Sequence, residues 1–325
     1  MSDGIRVERP RRWEVFQREA GKASLPVEVT GVTGPTATVF AVDACGRVAA
    51  RRELEVRAVR RLREGAAGGV MDVPEACPPV VRRGGWYWLA VSEGRRRRRV
   101  LPFGVGDVFV VAGQSNAAGH GDGFIADRSG MVSVQTESGD WALADKPEPL
   151  PGAMAAGSPW PMLGELLACS ERIPIGFINV AVGGTSTEQW LPTGDLYPAL
   201  KRALSGRRVR AVLWHQGESD ASEDSSTERT YQNMVTVIER SRADAGWRVP
   251  WYVALASRTP STTRQQELAV RAAQAALFRM GLALPGPDTD TYVPESMRYD
   301  QLHFGQVGLV VHAILWFRAL HFPAA

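Results

Sequence analysis

Residues 108–119 read Val-Phe-Val-Val-Ala-Gly-Gln-Ser-Asn-Ala-Ala-Gly, and this stretch restricts the fold more than any other. A continuous apolar run with β-branched members that stops at a glycine reads as a strand buried on both faces of a parallel sheet. Such a strand delivers Ser115 to a tight turn at its carboxyl end, where open α/β sheets place their ligands. A serine there is a candidate nucleophile, in need of a base, an orienting acid and an oxyanion site.

The rest of the carboxyl-terminal two thirds repeats the same pattern. Apolar strands are expected at Ile175–Val182, Val209–Trp214 and Val249–Leu255, with a fifth short one near Leu282. Helices are expected at Pro159–Ser170, Leu196–Leu204, Glu228–Arg242, Thr263–Arg279 and Gly305–Leu320. Strands alternating with helices at these lengths imply βαβ units, a mostly parallel sheet and right-handed crossovers. Residues 119–157, rich in Gly and Pro, show no periodicity and read as a long binding loop.

Residues 1–104 have a different texture. Short runs at Trp13–Gln17, Pro26–Val29, Ala37–Val42, Leu54–Val59, Trp86–Val91 and Arg98–Leu101 are separated by Gly- and Pro-containing turns. This spacing predicts a small β-sandwich. The two textures divide the chain into a β-rich accessory domain, 1–104, and an α/β domain, 105–325. The accessory domain contains no histidine, so the general base is expected elsewhere. Trp86, Tyr87 and Trp88 alternate faces of a strand and read as core rather than as a sugar platform.

Charge divides the same way. Residues 1–105 hold 20 Arg or Lys against 12 Asp or Glu, and the remainder 18 against 23, within a formal total of +3. The Arg95–Arg99 run follows Ser92-Glu93-Gly94 and reads as a solvated strand leaving a hairpin; no nucleic-acid partner is expected. Cys45, Cys77 and Cys169 are too few and too scattered for a disulfide framework. No apolar run approaches the roughly 18–20 residues of a membrane span. The start, MSDGIRVERPRRW, has no apolar core of a secretory signal. The expectation is therefore a cytoplasmic protein, or a secreted one whose leader has been removed, with no membrane partner.

Three strand ends carry polar groups that a parallel sheet brings to one edge: Ser115, Gly183-Gly184 and His215–Asp220. Among the five histidines, His321 ends the chain, His312 lies inside an apolar helical pattern, and His120 sits in a Gly-rich loop with the look of a solvated side chain. His303 follows Asp300 by three residues, just before a helix. That spacing lets a carboxylate fix the imidazole's tautomer while Nε2 faces a serine. His215, Glu218 and Asp220 lack a recognisable metal-site spacing, and neither a metal nor another cofactor is expected.

Four blocks now stand in order: Gly113-Gln114-Ser115-Asn116, Asn179–Thr185, His215–Asp220 and Asp300–Phe304. Together they resemble the SGNH hydrolases, and within them the sialate O-acetylesterase and carbohydrate acetylesterase group. The resemblance covers about residues 105–320. It implies a flavodoxin-like three-layer α/β/α domain, here preceded by the β-sandwich-like one. It also implies a serine esterase that removes O-acetyl groups from a carbohydrate or glycosylated small molecule through an acyl-enzyme. Ser115 would be the nucleophile and His303 the base. The amides of Ser115 and Gly184, with the Gln216 side chain, would form the oxyanion hole. Asp300 is the expected acid, with Glu218 as the alternative or a second carboxylate. Asn116 and Trp190 are candidate substrate contacts. Gln114 and Gln216 stand where the wider superfamily has Asp and Asn, which points to the acetylesterase group. An acyltransferase using the same triad, and a non-catalytic carbohydrate-binding protein, remain as alternatives.

Overall fold

A computed structural model describes residues 6–30, 36–42, 48–55, 67–74, 85–93, 96–147 and 156–322. The chain forms two compact units: Met1–Asp107 with Ser129–Leu143 and Leu167–Gly176, and Val108–Arg128 with Ala144–Leu166 and Phe177–Ala325.

The first unit is built from β1 (Arg6–Arg9), β2 (Val15–Gln17), β3 (Lys22–Thr30), β4 (Thr36–Val42), β5 (Val48–Glu55), β6 (Ala67–Pro74), β7 (Trp86–Glu93), the first part of β8 (Arg96–Gly113), β9 (Val132–Gln135) and β10 (Trp141–Leu143). One antiparallel sheet has the order β1-β3-β6. In the other, β4 pairs antiparallel with β5 and β7, β7 with β8, and β2 lies parallel to β8. Residues of β3 alternate between exposed and buried, as the two-residue period of a strand requires. Leu25, Val27 and Val29 therefore share a core with Ala41, Tyr87, Leu89, Val91, Phe103 and Val105. Two sheets closing on one core make this a sandwich. Fully burying a Leu or Val of this kind contributes about 1.5–3 kcal/mol.

Trp86 and Tyr87 point to opposite faces and both are buried. Tyr87 stacks on Phe103 in the core, whereas Trp86 packs edge-on against Trp13 and donates its indole N–H to the Gly130 carbonyl. Two expectations are corrected. Arg98–Leu101 is not a separate strand but part of the 18-residue β8. Its early residues pair with β7 and its late ones with β12 (Ala211–His215), so ladder bonds carry the chain through Pro102–Gly106. The stretch 119–157 also contains a hairpin, β9 paired with β10, each strand too short to leave a periodic signature. Cys45, Cys77 and Arg95, and the side chains of Arg96–Arg99, lie outside the described residues; Cys169 is exposed.

In the second unit the end of β8 joins the end of β11 (Ile175–Asn179), β12, β13 (Trp251–Leu255) and β14 (Leu284–Asp288), in the order β11-β8-β12-β13-β14. Pairing of β8 with β12, β12 with β13 and β13 with β14 is parallel. Numbered within the unit this is 2-1-3-4-5, the flavodoxin-like order, whose ligand crevice lies between the first and third strands. Every residue of β12 is buried, which is why its sequence shows no alternation.

The helices are α1 (Ser115–Ala118), α2 (Trp160–Glu171), α3 (Tyr197–Leu204), α4 (Glu218–Ser222), α5 (Thr227–Ala245), α6 (Arg264–Arg279), α7 (Thr289–Tyr292) and α8 (Gln306–His321). The crossover from β8 to β11 runs opposite to those from β12 to β13 and from β13 to β14. Right-handed connections therefore put α2 on one face and α5 and α6 on the other. Trp160 of α2 meets Trp316 of α8 at 5.8 Å between ring centres, so α8 shares the α2 face and the unit has three layers. Capping fixes the helix starts. Ser226 accepts from the Arg229 amide, and Thr263 forms a capping box with Gln266, each such cap contributing about 1 kcal/mol. No helix among the described residues is long and apolar enough to cross a membrane.

Candidate active site

The turn that carries Ser115 begins where β8 and β12 pair through Gly113 and His215. Gly113 has φ +124°, and a Cβ there would lie 2.1 Å from the His215 carbonyl oxygen; only glycine fits. Gln114 donates its amide to that same carbonyl at 3.0 Å, and the chain then closes into α1 with Ser115 as its first residue. The turn is held from behind. Trp160 Nε1 donates to the Ala117 carbonyl at 2.6 Å, and Asn179 Nδ2 to the carbonyls of Ala117 and Ala118.

His303 stands on the loop before α8. Its Nδ1 lies 2.6 Å from Asp300 Oδ2, while Asp300 Oδ1 accepts the amides of His303 at 2.6 Å and Leu302 at 3.0 Å. Burial pushes the Asp300 carboxyl up, but these hydrogen bonds more than offset it, and the group is held below the usual carboxylate range. An ionised carboxylate on Nδ1 leaves Nε2 as the basic edge. The loop is held by Arg298, which donates to the Leu302 carbonyl at 2.6 Å and to the carbonyls of Val293 and Thr289. Two rings stack against His303, His120 at 5.8 Å and Tyr299 at 6.1 Å between centres, tilted from it by 29° and 25°.

Ser115 and His303 line one cavity of about 430 Å³ with Gln114, His120, Gly184 and Glu218. Gly184 has φ +71° with open space at its Cβ position. Among the described residues, the amides of Ser115 and Gly184 donate to no other group. The Gln114 side-chain oxygen accepts the amides of Ser219 at 3.1 Å and Gly217 at 3.4 Å, which leaves its NH₂ without a partner among the described residues. No group of three or more His, Cys, Asp or Glu among the described residues is arranged to hold a metal ion.

Three sequence-based expectations change here. The Gln216 amide is turned away from the cavity: it donates to the Thr185 carbonyl at 3.2 Å and to the Asp220 carboxylate, and the residue is buried. Asn116 is also buried, donating to Glu218 Oε1 at 2.9 Å. Trp190 is fully buried, edge-on to Trp214 and bonded to Thr185 Oγ1. None of the three faces the cavity, because each is needed to pair a buried polar group or fill the core behind it. Glu218 reaches the cavity but makes no hydrogen bond to His303; burial pushes its carboxyl up, and Asn116 offsets this only in part.

A family model described as "Carbohydrate esterase, sialic acid-specific acetylesterase" matches residues 105–308. The chain belongs to this family. A probable carbohydrate esterase of Arabidopsis thaliana is 28% identical over a region covering 44% of this chain and 65% of that protein, just under two thirds of its length. In solved structures, a carbohydrate acetylesterase from Xanthomonas citri aligns with 98% of this chain and 75% of its own at a TM-score of 0.61 and 19% identity. The structure of the Arabidopsis protein aligns with 66% of this chain at a TM-score of 0.53 and 22% identity. These two likenesses show a shared fold.

Within this family architecture, sequence reasoning missed several cavity and support residues. Gln114 carried only a subgroup signal, although its place beside Ser115 marks it. His120 was readable only as a loop histidine. Arg298 and Tyr299 immediately precede Asp300, and nothing in their spacing announces that one is buried and the other lies against the His303 ring.

Proposed function

We propose that the chain is a serine esterase that removes O-acetyl groups from a carbohydrate or glycosylated small molecule. The observation that carries this reading is the meeting of Ser115 and the Asp300–His303 pair in one cavity whose unpaired amides, Ser115 and Gly184, lie beside them. His303 Nε2 takes the Ser115 proton as Oγ attacks the acetyl carbonyl carbon. The oxygen, now negative, accepts the amides of Ser115 and Gly184 and the free NH₂ of Gln114. Each such donor contributes about 2.7–4 kcal/mol at the transition state. Collapse breaks the bond to the sugar oxygen, which leaves with the proton from His303. Water then attacks the acetyl-enzyme, again through His303, releasing acetate and restoring Ser115.

The β-rich residues 1–104 serve in this reading as an accessory domain. A screen of acetylated sugars and glycosides, followed by acetate release, tests the reading. Turnover by the native protein and none by Ser115→Ala supports it; equal turnover by both refutes it.

A further inference from the structure

The cavity contains a second imidazole that the acetyl-transfer steps do not use. His120 is fixed through its backbone at both ends: its amide donates to the Ser115 carbonyl at 3.1 Å, and its carbonyl accepts the Tyr299 hydroxyl at 3.2 Å. Its ring lies against His303 at 5.8 Å between centres and 29° between planes. Yet neither ring nitrogen has a hydrogen-bond partner among the described residues.

Its position relative to the nucleophile follows from Gly183. The point that a Cβ on Gly183 would occupy lies 3.1 Å from His120 Nε2 and 3.6 Å from Ser115 Cβ. The nitrogen-bearing edge of His120 and the nucleophile thus flank the same glycine. Any larger residue at 183 would push the ring away.

The sugar oxygen that leaves the acetyl carbon must receive its proton from His303, so it sits beside that ring. His120 runs alongside His303 and therefore borders the alcohol half of the ester, not the acetyl half. Burial first, and then the neighbouring His303, lower the His120 pKa and so favour the neutral ring. A neutral imidazole has one donor and one acceptor, which matches a hydroxyl group and not a charged one.

We propose that His120 is a specificity-determining residue that hydrogen-bonds the hydroxyl adjacent to the ester oxygen of a sugar substrate, so that the site favours acetyl esters with a free vicinal hydroxyl. This rests on the acetylesterase reading above. It names the alcohol half of the substrate, about which the triad is silent.

The test is a cycle between residue and substrate. kcat/KM is measured for a mono-O-acetyl glycoside with a free vicinal hydroxyl and for its deoxy counterpart, in the native protein, His120→Ala and His120→Asn. Ser115 labelling by a fluorophosphonate and melting temperature report whether each variant is folded. One neutral hydrogen bond corresponds to roughly 3–10-fold. The native protein is expected to prefer the hydroxylated ester by that factor, His120→Ala to bring the ratio to about one, and His120→Asn to restore part of it. A ratio unchanged in His120→Ala, whatever happens to the absolute rates, overturns the proposal. A native protein that labels at Ser115 but cleaves neither glycoside overturns the carbohydrate reading and this proposal with it. Preference retained in the variant sinks this proposal alone.

Discussion

Replacing Asp300 by Asn separates the two carboxylates near His303. Asp300 makes three hydrogen bonds with the His303 loop: the ring Nδ1 at 2.6 Å and two backbone amides at 2.6 and 3.0 Å. Asn retains one oxygen, which the two amides hold in place. Its NH₂ then faces Nδ1 and forces that nitrogen to accept, which moves the ring proton to Nε2. His303 can no longer take the Ser115 proton. Wrong-tautomer substitutions of this kind lower kcat about 10³–10⁴-fold, or about 4–5.5 kcal/mol. Glu218→Gln is the matched comparison. Glu218 touches Asn116 through Oε1, which Gln reproduces, and its Oε2 has no partner among the described residues. Because burial favours its neutral form, Gln is close to isosteric, and kcat should fall by no more than about tenfold. The assay is steady-state acetate release, with melting temperature to confirm folding. A larger loss in Glu218→Gln than in Asp300→Asn refutes the assignment of Asp300.

Two further outcomes follow from the groups behind the cavity. Arg298→Met removes the buried donor to the Leu302 carbonyl at 2.6 Å; kcat should fall more than KM rises, with about 2–4 kcal/mol lost in chemical denaturation, and an unchanged kcat contradicts a positioning role. His312 accepts Trp316 Nε1 at 2.9 Å through Nε2 and is held well below the usual histidine range, by burial first and then by His215 and Arg298. Folded His312 stays neutral while the unfolded chain takes up a proton below about pH 6.5, so native stability from this site is lost as pH falls. Gln does not titrate. The destabilisation caused by His312→Gln should therefore shrink by up to about 1.4 kcal/mol per pH unit between pH 6.5 and 5, and a cost independent of pH contradicts the neutral assignment.

The strand–turn logic of residues 108–119 is legible in sequence because a doubly buried strand must be apolar throughout and a turn against another backbone must be glycine. The Asp300–His303 pair is legible for a similar reason, since one short loop sets both side chains. Gln216 and Trp190 misled because a motif gives residue type but not side-chain direction. Gln216 follows the end of β12 and Trp190 closes a 3-10 turn, Thr187–Trp190, yet the pairing of Gln216 with Asp220 and the packing of Trp190 on Trp214 turn them inward. The hairpin of β9 and β10 was hidden by its length, four residues and three. Its stability comes from tertiary packing, with Val132, Val134 and Trp141 buried, rather than from local propensity. Arg298 was hidden because burial of its guanidinium depends on how the turns around it aim the carbonyls of Thr289, Val293 and Leu302, and residue type does not show that.

The central claim is that Ser115 carries the acetyl group. Treating the protein with a fluorophosphonate and mapping the adduct by peptide mass spectrometry tests it most directly. The account predicts one modified peptide, the one containing Ser115, formed in step with loss of acetate release and absent in Ser115→Ala. Modification of a different serine accompanied by the same loss, or full hydrolysis after complete labelling of Ser115, would contradict it.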